Sequence, residues 1–338
     1  MELALRQMAP LKAPGPDGMP PTFFQKFWNI IGDDVVEAVL SCLNTGTIMP
    51  GLNHTFISLI PKVKNPEYVT EFRPIALCNI LYNLVSKVLA NRLKKVLPHI
   101  ISDFQSAFQS NKAISDNILV AFELLYHMTR KKSGKMGHMA LKLDMSKAYD
   151  RLEWNFLQRT MEKTGFHPRW VGWIMECIKS VTYLVLINGE PKGHIIPTRG
   201  IHQGDPLSPY LFLLCSEGLT SLIEQVVNER HIEGFSLCKH GPKISHLFFA
   251  DDSLLLCRAR VEDVIKIQEI LGKYEVASGQ KINSDKTTIF FGKNVPMSTK
   301  EQVQNLLRVS EIKEYEKYLG LPTVVGRNKR ASLNYIKD

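Results

Sequence analysis

Residues 244–258 read ISHLFFADDSLLLCR: two apolar runs meet at Asp251-Asp252. Runs this short, bounded by polar residues, predict two strands joined by a tight turn. Asp suits turns because its side chain bonds nearby backbone N–H groups. A purely structural hairpin turn more often uses Asn-Gly or Asp-Gly, which supply positive φ. Two carboxylates at one apolar tip also repel each other and resist ionising unless a cation sits there. HMALKLDM (138–145) carries the companion anomaly. Met139, Leu141, Leu143 and Met145 alternate with His138, Ala140, Lys142 and Asp144, the period of a strand. Asp144 is then a poor strand former on the polar face, either a strand-end acid reaching into a turn or a ligand. If the two strands are neighbours, three carboxylates meet at one sheet edge. That is a hard oxygen site of the kind Mg²⁺ takes, and paired ions about 3.5–4 Å apart drive in-line phosphoryl displacement. The acids alone fit polymerase and nuclease chemistry equally.

Outward from these strands, PLKAPGPDGMPP (10–21) is a loop, since its Pro and Gly block regular structure. Helical spacing predicts helices over 22–44, 75–97 and 114–129, with Pro98 ending the second. HTFISLIP (54–61) reads as a strand. A helix over 151–164 stops at Gly165, with Asp150 as its N-cap and Glu153 completing a capping box. Residues 181–188 and 193–197 form a hairpin through Asn188-Gly189. Ser208 caps a helix with Pro209 at its first position. A helix over 262–277 ends at Gly279, and TTIFF follows as a strand. Helices and hairpins mixed irregularly predict an α+β fold with a small antiparallel sheet backed by helices.

The chain has 338 residues, enough for roughly two folding units at about 150 residues each. Hydrophobic residues at 44% and charged residues at 22% exclude a disordered tail, a collagen or a small disulfide scaffold. The six Cys show no CxxC spacing, so no zinc ribbon is signalled and free thiols are expected. No run approaches 18 apolar residues, and no signal peptide opens the chain. Lys plus Arg at 42 against Asp plus Glu at 33 gives a net charge of +9, which weakly favours a polyanionic partner. The charge is clumped at Arg92/Lys94/Lys95, Arg130/Lys131/Lys132/Lys135 and Arg327/Lys329/Arg330. Each clump taken alone reads as a solvated face.

LDMSKAYD, RGIHQGDPLSP and FFADD, in this order, closely resemble the polymerase motifs of reverse transcriptases. The stretch from LIPKVKNPEYVTEFRPIALCN to DFQSAF resembles the fingers of plant non-LTR (LINE-type) retrotransposon enzymes. KAPGPDG and FFQKFW match the segment before those fingers, and SGQKINSDKTTIFF and EKYLGLP the last palm motifs. Each motif is weak; the ordered set is specific and covers nearly the whole chain. The resemblance implies a right-hand polymerase fold. An N-terminal extension (1–44) would precede fingers (45–137) and the first part of a palm (138–180). A connection with the nucleotide-site loop (181–209), the second part of the palm (210–295) and a primer-grip region opening a truncated thumb (296–338) would follow.

By that resemblance, Asp144, Asp251 and Asp252 bind two Mg²⁺ ions, with Mn²⁺ as a substitute. Tyr149 packs under the incoming sugar and excludes a ribose 2′-OH. Gln203 and Gly204 bring amide and backbone to the nucleotide. Lys62 and Arg73 clamp the triphosphate, and Lys286 protonates departing pyrophosphate. His202 reads as structural, and Arg199 as a support of its loop. The implied reaction is attack of a DNA primer 3′-OH on a dNTP, copying an RNA template, in retrotransposition. The basic clumps then track a hybrid backbone without reading sequence. The family's mode of life implies a nuclear location with cytoplasmic transit, and no membrane partner. An endonuclease, most of the thumb, and a zinc knuckle or RNase H would complete the element. Alternatives are an inactive nucleic-acid-binding remnant and a group II intron maturase-like enzyme.

Overall fold

A computed structural model describes residues 1–131, 136–238, 240–312, 317–319 and 321–322. The chain forms two compact units, each discontinuous in sequence. One holds Met1–Ile100 and Tyr149–Leu214; the other holds Ile101–Ala148 and the chain from Cys215 onward. In chain order the first stretch carries α1 (Glu2–Arg6), α2 (Pro21–Lys26), α3 (Trp28–Thr45), β1 (His54–Pro61), β2 (Phe72–Cys78) and α4 (Ile80–Val96). Next come α5 (Ile114–Arg130) and β3 (His138–Leu143). After them follow α6 (Ala148–Arg151), α7 (Trp154–Lys163), α8 (Pro168–Lys179), β4 (Thr182–Ile187), β5 (Glu190–Ile195) and α9 (Ser208–Asn228). The last stretch has β6 (His246–Phe249), β7 (Asp252–Arg258), α10 (Val261–Ser278), β8 (Thr288–Phe291) and α11 (Met297–Leu307). Three two-residue strands end it: β9 (Ser310–Glu311), β10 (Lys317–Tyr318) and β11 (Leu321–Pro322).

The first unit is built on a four-stranded sheet in the order β2-β1-β4-β5. β1 runs antiparallel to β2 (Thr55 opposite Cys78) and parallel to β4 (His54 opposite Thr182). The β4–β5 hairpin turns at Asn188-Gly189, with φ of 53° and 83°, the double positive φ a tight hairpin demands. Its second strand starts at Glu190, earlier than the 193 expected. Residues 75–78 are strand and not the start of a helix: α4 begins only at Ile80. IALC is apolar throughout, so periodicity does not separate strand from helix there. Pro74 sits in β2, an edge strand, where a missing N–H does no harm. The helix expected over 22–44 is two helices, broken at Phe27 (φ −98°, ψ 14°), whose carbonyl accepts from both Ile30 and Ile31. Ile80, Leu84, Leu89 and Leu93 give α4 its buried face.

The second unit carries a five-stranded sheet in the order β6-β7-β3-β8-β9, antiparallel except between β8 and β9. β3 lies at its centre. Met139, Leu141 and Leu143 are buried as their spacing requires, but Ala140 is fully buried too. The face expected to be polar is partly covered by Ala121, Leu124, Leu125 and Met128 of α5. α10 stops at Gly279 (φ 74°), as its sequence signals. Among the described residues α9 is the one helix long and apolar enough, by length and composition, to cross a membrane. Its Leu211, Leu213, Leu214, Cys215 and Leu219 are buried core side chains. All six Cys are free. Lys132, Lys135 and the Arg327/Lys329/Arg330 clump lie outside the described residues, as does the chain assigned to the thumb beyond 322.

Candidate functional site

The three singled-out acids all belong to the second unit and gather at one end of its sheet. β3 and β7 pair through Leu143 opposite Ser253, so the next step of that register sets Asp144 across from Asp252. Phe249 opposite Asp252 is the last pair between β6 and β7. The turn therefore consists of Ala250 and Asp251, one residue earlier than expected, and Asp252 opens β7. Asp251 is exposed; Asp144 and Asp252 are half-buried. The Asp252 carboxyl is raised above its ordinary range, first by burial and then by the charges of Asp251 and, more weakly, Asp144, with Lys142 opposing. Asp252 thus carries a carboxyl raised by burial beside two like charges at one sheet end. Hard carboxylate oxygens fit Mg²⁺ or Mn²⁺ on donor chemistry. Among the described residues, however, no three His, Cys, Asp or Glu side chains already form a chelating group.

The backbone under Asp144 is clamped by the segment after α10. Asp144 N–H donates to Thr287 Oγ1 at 3.3 Å, and Asn283 N–H donates to the Asp144 carbonyl at 2.9 Å. Ser146 N–H donates to the Lys281 carbonyl at 2.8 Å, while Met145 bridges Ile282. Lys286 is in this same segment, next to Thr287, with its side chain in solvent. Its own N–H donates to the Asn283 carbonyl at 3.2 Å. The sequence reading missed Thr287 and Asn283, as well as Gln105 and Asn117, which hold β6. Their partners are far away in sequence, so no local pattern marks them.

The remaining singled-out residues belong to the first unit. Tyr149 stacks on Phe212, with ring centroids 5.3 Å apart and planes 7° from parallel. Its carbonyl accepts from Ile201 N–H at 2.9 Å. Gln203 donates through Nε2 to Asp150 Oδ1 at 3.2 Å, and its carbonyl accepts from Ala76 N–H on β2 at 2.8 Å. Gly204 takes a φ of 106°, which excludes most side chains, and its carbonyl accepts from Lys12 Nζ at 3.0 Å. Lys12 opens the KAPGPDG loop. Within that loop Asp17 Oδ2 accepts from Ile80 N–H at 3.3 Å, and a Cβ on Gly15 would lie 2.5 Å from the Asn79 nitrogen. Lys62 and Arg73 are exposed on the β1–β2 ribbon, where Ile60 pairs with Arg73. With a period of two they share one face. Lys62 Nζ donates to the Thr70 carbonyl at 3.0 Å.

Two helix starts differ from expectation. Asp150 lies inside α6, and α7 begins after Glu153, so Asp150 caps nothing and instead receives Gln203. At α9, Asp205 does the capping assigned to Ser208. Its Oδ2 accepts from the N–H groups of Leu207 and Ser208 at 3.0 Å each and from Ser208 Oγ at 3.2 Å. Its Oδ1 accepts from Ser86 Oγ at 2.5 Å. His202 is buried among Tyr82 and Tyr183, and burial lowers its pKa, in keeping with a structural imidazole.

A family model described as reverse transcriptase (RNA-dependent DNA polymerase) matches residues 60–323. The "Transposon TX1 uncharacterized 149 kDa protein" of Xenopus laevis is 30% identical over 285 residues, covering 84% of this chain and 21% of its own length. The "Retrovirus-related Pol polyprotein from type-2 retrotransposable element R2DM" of Drosophila melanogaster is 26% identical over 275 residues, 81% of this chain and 24% of its own. The "Uncharacterized mitochondrial protein AtMg01250" of Arabidopsis thaliana is 47% identical over 70 residues, 21% of this chain and 57% of its own. The chain thus spans about a fifth to a quarter of the two transposon proteins.

Proposed function

Because this chain belongs to the reverse transcriptase (RNA-dependent DNA polymerase) family, we propose that it adds dNTPs to a DNA primer 3′-OH along an RNA template. The observation that carries this reading is the β3–β7 register, whose last pair, Leu143 with Ser253, puts Asp144 and Asp252 at the same end of the sheet, with Asp251 in the adjoining turn, inside the family-matched segment. Asp144, Asp251 and Asp252 are the residues that would hold divalent ions. Two Mg²⁺ ions, when bound, supply Lewis-acid stabilisation of the attacking and leaving oxygens. The segment 281–287 fixes the backbone of Asp144, and Lys286 on that segment is the proposed donor of a proton to leaving pyrophosphate.

For the first unit the proposed work is nucleotide selection. Lys62 and Arg73 lie on one face of an exposed ribbon, and two cations there suit a triphosphate, Arg gripping two oxygens and Lys acting as a point charge. Tyr149, held flat by Phe212, is a rigid ring suited to rejecting a 2′-OH. Gln203 and the left-handed Gly204 offer amide and bare backbone. The source we infer is a plant LINE-type element, supported by the motif order and by the 47% identity to a plant protein segment. The same reading locates the activity in the nucleus after cytoplasmic transit, because the primer is then a nicked chromosomal strand.

The test is Mg²⁺-dependent dNTP incorporation on an oligo-primed RNA, wild type against Asp251→Asn. Loss of at least about 100-fold is expected, since Asp251 would help hold the ions that stabilise the phosphoryl-transfer charge. Equal rates in both proteins remove the metal role. A second reading, nucleic-acid binding without catalysis, draws on the absence of a ready chelating group among the described residues. Binding of primed RNA with no incorporation in Mg²⁺ or Mn²⁺ would select it.

A further inference from the structure

Gln105, in DFQSAF, is fully buried in the second unit. A buried carboxamide must find partners for its oxygen and its two N–H groups. Oε1 accepts from Ala107 N–H at 3.0 Å and from Ala250 N–H at 3.2 Å, and Nε2 reaches Ser216 Oγ at 3.5 Å. Both partners on the oxygen side are donors, so chemistry fixes which way the amide faces. The Ala107 bond is local. The Ala250 bond spans 145 residues and ends on the residue just before Asp251.

Ala250 is the strained point of that turn. Its φ is 54°, a left-handed conformation that an L-residue with a Cβ adopts only when its surroundings impose it. The strand leading into it is held from the same side. Phe248 N–H donates to the Phe104 carbonyl at 2.8 Å, and Ser106 N–H donates to the Phe248 carbonyl at 3.0 Å. Asn117 Nδ2 donates to that carbonyl at 3.1 Å, and Tyr318 Oη donates to Asn117 Oδ1 at 3.0 Å. Residues 104–106 therefore act as a backbone template for β6. The Gln105 side chain carries the template onward to the turn.

We propose that Gln105 is a positioning residue for the carboxylate turn. Its amide oxygen holds the Ala250 peptide in the left-handed form and so sets where Asp251 and Asp252 stand relative to Asp144. The kinetic part of this inference rests on the polymerase reading; the structural part does not. Ligand-bearing groups need such outer support, and removing it costs about 10–100-fold in metal affinity or activity.

The experiment uses the whole chain and Gln105→Met, which keeps the side-chain volume and removes the acceptor. Hydrogen exchange of residues 247–252, Mn²⁺ binding by electron paramagnetic resonance, and single-turnover dNTP incorporation are measured together. Expected are faster exchange at the turn, Mn²⁺ affinity down about tenfold, and incorporation down about tenfold or more. Primer–template affinity should stay within about twofold. Gln105→Glu retains an oxygen facing Ala250 and should restore turn protection and Mn²⁺ affinity. Adding Ala250→Gly to Gln105→Met should recover much of the rate, because glycine holds positive φ unaided. Unchanged exchange in Gln105→Met overturns the proposal whatever the kinetics, as does altered exchange with unaltered Mn²⁺ binding. If Gln105→Met does not fold, Gln105→Glu decides: loss of turn protection there overturns the proposal, and its retention with wild-type Mn²⁺ affinity supports it. A wild-type chain that incorporates no dNTP counts against the polymerase reading alone, and exchange and Mn²⁺ binding still judge Gln105.

Discussion

Asp205 is a buried carboxylate whose oxygens are satisfied by two backbone N–H groups and the hydroxyls of Ser86 and Ser208. Removing it leaves those donors without an acceptor in a dry setting. Asp205→Ala should therefore cost about 3 kcal/mol by urea denaturation, and Asp205→Asn less, because one oxygen remains to accept. Gly200 is constrained differently: its φ is 87°, and a Cβ there would lie 2.8 Å from the Asp150 carbonyl oxygen. Gly200→Ala should lower stability by about 2 kcal/mol or more, read as a fall in Tm. Sequence alone marks Ser208-Pro209 as a helix start and gets the neighbourhood right. Asp205, whose capping partners Leu207 and Ser208 are two and three residues on, carries an equally local signal; only its bond to Ser86, 119 residues away, lies beyond the reach of sequence. Asp150 misleads for the same reason: its spacing to Glu153 imitates a capping box, while its real partner is Gln203.

At the level of elements, the end of β3 depends on Thr287, which is 2% exposed and accepts from Asp144 N–H. Thr287→Val keeps shape and removes the acceptor. The expected result is a loss of about 1–2 kcal/mol in stability, with dNTP incorporation falling more than primer binding. Thr287→Ser should restore both. The strands β1 and β3 were legible in the sequence, the latter despite the buried Ala140, and so were α5 by its spacing and α10 with its terminator Gly279. β2 was not, because its apolar IALC run (75–78) next to a true helix satisfies both periods. The acidic turn was legible as an anomaly. Its residue-level layout, with Ala250 and not Asp252 in the bend, depended on a register that only the pairing of β6 with β7 reveals.

For the molecule as a whole, buried titratable groups set the pH profile of stability. Burial pushes His246 down to about 3 and His138 down to about 4. Between those values and about 6.5 the unfolded imidazoles bind protons that the folded ones refuse, so stability falls as pH drops below about 6.5. Burial pushes Glu217 up to about 7. Above about 4.5 its unfolded carboxyl is ionised while the folded one stays protonated, so stability also falls as pH rises toward 7 and is flat beyond. These two imidazoles, with buried His202 lowered in the same direction, outweigh one carboxyl below 6.5, which places maximal stability near pH 6.5. Glu217→Gln should stabilise the protein by about 1–3 kcal/mol at pH 8 and change little at pH 4, measured by urea titration at both. One arrangement also bears on synthesis. β1 rests beside β4, a strand made some 128 residues later, and in between the ribosome lays down β3, whose own neighbours β7 and β8 come later still. While residues 144–181 emerge, the nascent chain exposes strand edges from two unfinished sheets at once, so a translational pause there leaves it most open to aggregation and most in need of a chaperone.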